Sequence, residues 1–304
     1  QSPKRKNKSK CLILLATTSG YPHTFMTTMT RMPRAPRRDD EVDSVRTIFW
    51  FHCLGDRLGK HEARAVQRAV APNTIGVDSH GDPIKNGKFL AYKRGARTPS
   101  DRLVEQIEQQ VPRSARSLNH PLWQVLRTSK SIKTSACQWV RQLDPEIQRF
   151  ALSNGEVSMS WGRHTLEPLE RRASLDSLAA LTIMMRLHHE QGNQLATWDC
   201  AQAVFRVLLI LGPMFEEHAI AEQIFKIYVS RVFSLVVLPG RRIALEDYDY
   251  PTRSGFLNLL ADELRAQSEP QAARRLPTFY ALQVLDGKQQ RARLLFTLPV
   301  IEVA

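Results

Sequence analysis

The side chains best suited to chemistry in this sequence are basic and lie close together. Between positions 85 and 102 there are six basic residues and one acidic residue, Asp101. Asparagine or lysine at the start of a helix can read base edges in the major groove of DNA, and basic side chains near its end contact phosphates. We therefore predict a duplex-DNA interface formed by Lys85, Asn86, Lys88, Lys93, Arg94, Arg97 and Arg102.

Within this segment the residue types predict a division of roles. Asn86 can pair with adenine and Lys88 with guanine, whereas the basic residues at positions 93–97 occupy the places where phosphates would be contacted. Phe89 and Tyr92 are expected to pack inward, because a short helix needs an apolar face. The alternative is that the basic residues form only a solvated turn between two packing helices.

No comparable set of catalytic or metal-binding residues is visible elsewhere. His188 and His189 are adjacent, and neighbouring side chains on a helix point about 100° apart, so they cannot share one ion. We expect them to be polar surface residues near a helix C-terminus, where the partial negative charge favours a protonated imidazole. The carboxylates of Asp78 and Asp82 lie in a predicted turn and lack the further ligands that calcium or acid–base chemistry needs.

Known catalytic and nucleotide-binding motifs are also missing from the sequence, including a Gly-x-Ser-x-Gly elbow and a phosphate-binding glycine loop. We therefore predict no catalytic residues, no metal and no cofactor. An enzyme whose residues meet only in three dimensions stays open.

Composition favours an anionic partner. The chain has 304 residues and a net charge of +13, with a calculated pI near 9.9. A strongly basic protein commonly binds nucleic acid, although a solvated basic surface is the alternative. The four cysteines are widely separated, which argues against a zinc site or a disulfide framework and favours reduced thiols in a cytoplasmic protein.

Residues 1–43 are expected to form a flexible basic leader, or else an arm that adds phosphate contacts. The apolar run at positions 11–16 is shorter than a signal peptide requires. No membrane span is predicted, because the long apolar region at 219–240 carries charged residues at helical spacing and is typical of an amphipathic or buried helix.

The elements that position the basic segment are predicted to be helices. The apolar spacing indicates helices over about 44–58 and 61–70, a loop at 73–87, and a short helix that stops at Gly95. Thr98-Pro99-Ser100-Asp101 then begins a further helix that Pro112 ends. We place a helix-turn-helix-like domain at 44–128 and a second helical domain, for sensing or oligomerisation, at 129–304.

The second domain is predicted from helix-ending residues. We expect one helix from Ser174 to Gly192, and another from Gln194 that Gly212-Pro213 stops at Leu211. The next is expected over 214–238 and the last over about 254–267, and the apolar tail at 292–304 permits a short terminal strand. The fold class predicted for the whole chain is therefore mainly α.

Residues 59–112 resemble the Cro/C1-type (XRE) helix-turn-helix repressors. "GKHEARAVQRAV" is similar to the second helix of that family, "NGKFLAYKRG" to the recognition helix, and "GARTPSDRLVEQIEQQV" to the turn and supporting helix. The sequence departs from the family at positions 71–84, where these repressors have a turn of about three or four residues and this chain has a longer loop that could act as a small wing.

The resemblance implies a regulator of transcription that binds double-stranded DNA, and a homodimer would suit two half-sites. The alternative is a helical protein-interaction or scaffold protein whose basic face is incidental. A third hypothesis is an unrecognised enzyme that acts on nucleic acid.

Overall fold

A computed structural model describes residues 40–75, 87–269, 276–287 and 294–302. All of them belong to one unit, which begins at Arg37. Most of the predicted leader, and residues 76–86 of the predicted loop, lie outside the described residues. The described part is mainly helical, which confirms the predicted fold class.

The N-terminal part of the described chain contains six α-helices. They are α1 (Asp40–Leu58), α2 (Ala63–Val70), α3 (Lys88–Lys93), α4 (Asp101–Gln110), α5 (Ser114–Leu118) and α6 (Pro121–Arg127). The first four correspond to the helices that the sequence predicts.

The C-terminal part contains eight further α-helices and four short strands among the described residues. They are α7 (Ala136–Val140), α8 (Pro145–Ala151), β1 (Leu152–Ser153), β2 (Glu156–Val157), α9 (Arg163–Arg172), α10 (Leu175–Glu190), α11 (Gln194–Glu217), α12 (Ala221–Arg231), β3 (Arg241–Ile243), α13 (Tyr250–Ala266), α14 (Pro277–Leu285) and β4 (Val300–Glu302).

The apolar side chains form two cores. The smaller core joins the second half of α1 to α2, α3, α4 and Leu118 of α5. The larger core is built on α10 and α11, which pack along one another, and it includes Leu122 and Trp123 of α6. The predicted domain boundary at 128/129 stays a prediction, but the smaller core ends before α6 begins.

Helix α1 contributes to both cores through opposite faces. Val45 and Phe49 pack in the larger core, whereas Trp50 and Leu54 pack in the smaller one. Because successive residues of a helix are rotated by about 100°, these two sets of side chains point to different sides of α1. The helix therefore holds the two cores together.

The prediction that Gly212-Pro213 stops α11 is wrong, because the helix continues to Glu217. Proline has no N–H to donate to the carbonyl four residues earlier, which is that of Leu209. Ser254 of α13 supplies the missing donor, since its Oγ lies 2.7 Å from that oxygen. The neighbouring carbonyl of Leu208 accepts a hydrogen bond of 2.7 Å from the Tyr250 hydroxyl. Tertiary contacts thus compensate for the proline.

The prediction of one helix over 214–238 is also wrong. The helical conformation is interrupted between α11 and α12 at Ala219, whose φ is 56°. The backbone N–H of Ile220 reaches back to the carbonyl of Phe215 at 2.9 Å, which closes the end of α11. A left-handed residue that follows a helix is a common way to end it, although glycine is more usual there.

Two small antiparallel sheets complete the described structure. The predicted terminal strand is present as β4, and it pairs with β3 in the register Arg242 to Ile301. The other sheet is a hairpin of β1 and β2, which was not predicted. Its two turn residues, Asn154 and Gly155, both have positive φ, as the Asn-Gly dipeptide favours.

Helix α11 is the only helix among the described ranges that is long and apolar enough to cross a membrane by length and composition. However, 72% of its most apolar window is buried inside the protein. A core helix passes the same test, and α11 packs against α10 and α13.

Candidate nucleic-acid interface

Helix α3 is held by two aromatic side chains. Phe89 and Tyr92 are each 1% exposed, which confirms that they pack inward. The Tyr92 ring meets the ring of Trp50 edge to face, with a centroid distance of 6.0 Å. The opposite side of α3 faces outward, where the side chain of Leu90 is 41% exposed.

The turn after α3 requires a glycine. Gly95 has a φ of 67°, in the left-handed region. A Cβ at this position would also lie 2.9 Å from the carbonyl oxygen of Ser44, which is too close for carbon. The turn therefore lies directly against the start of α1, and the buried Pro99 then leads into α4.

The described residues of the predicted interface lie within this short stretch of chain. Lys88 begins α3, Lys93 ends it, and Arg94 follows as its C-cap. Arg94, Arg97 and Arg102 are exposed, whereas Lys88 and Lys93 are half-buried. The other two predicted residues, Lys85 and Asn86, lie outside the described residues.

Lys93 has a partner within the chain. Its Nζ donates a hydrogen bond of 3.0 Å to the carbonyl oxygen of His61, just before α2. Its charge also reaches His52 of α1, whose pKa is lowered by burial first and then by His218 and Lys93. Lys93 therefore ties α3 to α2 and has fewer donors left for a ligand than the exposed arginines.

Arg97 is close enough to Tyr92 to affect its ionisation. Burial raises the pKa of the Tyr92 hydroxyl, and the positive charge of Arg97 opposes that rise. The exposed charge of Arg97 therefore lies near α3.

Two exposed arginines of α2 were not part of the predicted interface. Arg64 and Arg68 are exposed, while Ala63, Val66 and Val70 of the same helix are buried. The two arginines are four residues apart, so they lie on one face of α2. That spacing is visible in the sequence, but the predicted interface was limited to the recognition helix and the turn after it.

The structure corrects the expectation for His188. Its side chain is fully buried, and neither ring nitrogen has a hydrogen-bond partner among the described residues. Burial lowers the pKa of the ring, which favours the neutral form and not the protonated one. The reason is that α10 is covered on nearly all sides by the larger core.

One acidic cleft bears on the enzyme hypothesis. A cavity of about 390 Å³ between α9, α11 and α14 includes Glu167, Glu170, Asp199 and Asp286 in its lining. Burial raises the pKa of Glu170 and of Asp199. However, Arg206 pairs with both Glu170 and Asp286, which is the pattern of a structural ion-pair network.

Metal binding has no visible basis in the parts of the chain that are described. No group of three or more histidine, cysteine or acidic side chains lies close enough together there to hold an ion.

Comparison with known proteins identifies no relative: no protein-family model matches the chain, and neither a curated protein nor a solved structure is significantly similar to it.

Proposed function

We propose that this protein binds double-stranded DNA through α3, the turn after it and the start of α4, and that it acts in the regulation of transcription. The observation that carries the proposal is the exposure of Arg94, Arg97 and Arg102 at the end of α3, in the turn and at the start of α4. Arginine donates two parallel hydrogen bonds to a phosphate, so this surface suits the DNA backbone.

The packing of the helices supports the proposal. Helices α2 and α3 contact one another, and both contact α1. In a helix-turn-helix the second helix of the pair lies in the major groove while the first crosses the backbone. Arg64 and Arg68 of α2 would then add phosphate contacts to those of the turn.

Because α3 is short, we expect most of the affinity for DNA to come from contacts with phosphates. A helix of six residues presents few side chains to base edges. We therefore expect phosphate contacts to dominate, and binding to weaken steeply as salt is added. A homodimer that meets two half-sites stays part of the proposal and adds avidity to this weak single contact.

The proposal is tested with the double variant Arg94→Ala/Arg97→Ala and a labelled random-sequence duplex, by fluorescence anisotropy. We expect wild-type binding at roughly 50 mM salt that falls strongly by roughly 200 mM. The variant is expected to bind at least about tenfold more weakly, since two charged hydrogen bonds are lost. The slope of log affinity against log salt should fall in magnitude by about two.

The matched control is Lys133→Ala/Arg149→Ala, which removes two exposed positive charges from other parts of the surface. It should change affinity only slightly. Absence of binding at low salt, or an equal loss in both double variants, would contradict the proposal. Such a result favours the protein-interaction hypothesis, in which the basic face is incidental.

A further inference from the structure

One of the described cavities lies next to α1 and α6. It has a volume of about 500 Å³ and lies between α1, the link from α5 to α6, and the chain after α6. Three basic residues, Arg46, Arg127 and Lys130, line the cavity together with His120. None of the described residues that line it carries a carboxylate. Small-molecule sites in proteins have volumes in this range.

The two arginines have more donors than nearby acceptors. Arg127 donates to Oδ1 of Asp43, and Nε of Arg46 lies 2.7 Å from the same oxygen. The second contact is an ion pair that is not aligned for a hydrogen bond. The Nε atoms of both arginines are buried and have no hydrogen-bond partner among the described residues. One carboxylate oxygen therefore serves two guanidinium groups.

Burial makes this excess of donors costly. The pKa of Arg46 is lowered by burial, which Asp101 opposes by its charge. A buried donor without an acceptor destabilises the folded state, and an anion that accepts from both guanidinium groups would remove that cost. The lining also provides the neutral donors of Asn119, Gln124 and Ser129.

We propose that this cavity binds a phosphate group through Arg46, Arg127 and Lys130. A phosphate has three or more oxygens that accept hydrogen bonds, which matches two guanidinium forks and an ammonium group better than a single carboxylate does. The phosphate is carried either by a small molecule or by a nucleic-acid backbone. This inference does not depend on the proposed function.

The test uses the full chain, with inorganic pyrophosphate as the probe and Lys130→Ala as the variant. Lys130 is exposed, so the substitution leaves the fold intact, and Lys133→Ala removes an exposed charge three residues away as the control. By calorimetry we expect pyrophosphate to bind wild type, and Lys130→Ala to weaken it by about fivefold or more, as for one lost charged hydrogen bond. Arg127→Lys keeps the charge but loses the paired donors of the guanidinium group, and should also weaken the binding of pyrophosphate.

The source of the phosphate is distinguished by a second arm with duplex DNA. If Lys130→Ala weakens DNA binding more than Lys133→Ala, the cavity takes a backbone phosphate. If Lys130→Ala weakens only the binding of pyrophosphate, the ligand is a small phosphate compound. The proposal is overturned if pyrophosphate fails to bind, or binds equally to both variants, while DNA affinity also shows no difference between them. Because the first arm contains no DNA, it gives its answer even where DNA is not bound at all.

Discussion

At the scale of single residues, the carboxylate of Asp176 connects several helices. Its Oδ1 accepts hydrogen bonds from Arg116 and from the backbone N–H of Asp144, each at 3.1 Å. The same oxygen lies 3.5 Å from Nε2 of His120. The other ring nitrogen, Nδ1, accepts from the N–H of Leu122, so the proton of a neutral ring is on Nε2. One carboxylate thus joins α5 and the starts of α6, α8 and α10.

We expect that replacement of Asp176 by asparagine makes the free energy of unfolding depend less on pH in the acidic range. Burial raises the pKa of Asp176, but the hydrogen bond and charge of His120 and the charge of Arg116 outweigh it, so the pKa is lowered overall. A carboxyl whose pKa is lower in the folded state stabilises the protein above its unfolded value, near 3.9, and this stability is lost as pH falls through the folded value. Asp176→Asn should lower the free energy of unfolding by about 2 kcal/mol at pH 7.

The measurement is urea unfolding at pH 7 and again at about pH 3, where the difference between wild type and variant should shrink. Asp262→Asn, at an exposed position of α13, is the control and should change the free energy by less than about 0.5 kcal/mol. An equal loss at both pH values would show that Asp176 acts by shape and not by charge.

At the scale of elements, α11 and α13 can cross in close contact because position 212 is a glycine. A Cβ at Gly212 would overlap the Oγ and Cβ of Ser254. We expect Gly212→Ala to destabilise the protein by about 2 kcal/mol, although alanine favours a helix more than glycine does. Thermal or urea unfolding measures the effect, and Ser254→Gly should cost less in the Gly212→Ala background than alone.

Gly255 provides the matched control, because it lies in α13 where a Cβ would meet no described atom within 4 Å. Gly255→Ala should stabilise the protein by roughly 0.5–1 kcal/mol. A similar effect from both alanines would show that α11 and α13 are not in close contact.

These elements also show what a sequence can predict. Helices α1 to α4 were predicted because their local apolar spacing coincides with the side chains that are buried, and the burial of Phe89 and Tyr92 followed from that spacing. The continuation of α11 through Pro213 was not predictable, since the donor that replaces the proline N–H is Ser254, far along the chain. The hairpin at Asn154-Gly155 was predictable from the dipeptide and was missed.

The same distinction holds for the predicted interface. The basic composition of the turn is a property of the sequence, so Arg94, Arg97 and Arg102 could be proposed as candidates from the sequence alone. The bond from Lys93 to His61 joins residues 32 positions apart, and the cavity around Arg46 and Arg127 joins residues farther apart still. No local pattern marks such neighbours.

At the scale of the whole molecule, the two cores differ in size. Among the described residues, 13 are buried in the smaller core and 56 in the larger one. Regions with fewer buried apolar contacts open at lower free energy. We expect the amides of α2, α3 and α4 to exchange hydrogen with solvent faster than those of α10 and α11.

Hydrogen exchange followed by mass spectrometry at pH 7 tests this, and Val66→Ala should speed exchange further in α2 to α4 while α10 and α11 change little. Val66 is fully buried in the smaller core. Uniform protection across both cores would instead mean that the protein opens as one cooperative unit.

The two faces of α1 limit how this protein can change in evolution. A one-residue insertion between Phe49 and Trp50 would turn the rest of the helix by about 100°. Trp50 and Leu54 would then rotate away from the core that they fill, while Phe49 stayed in place. We expect length changes among homologous sequences to be excluded from α1, even where its individual apolar residues are exchanged for one another.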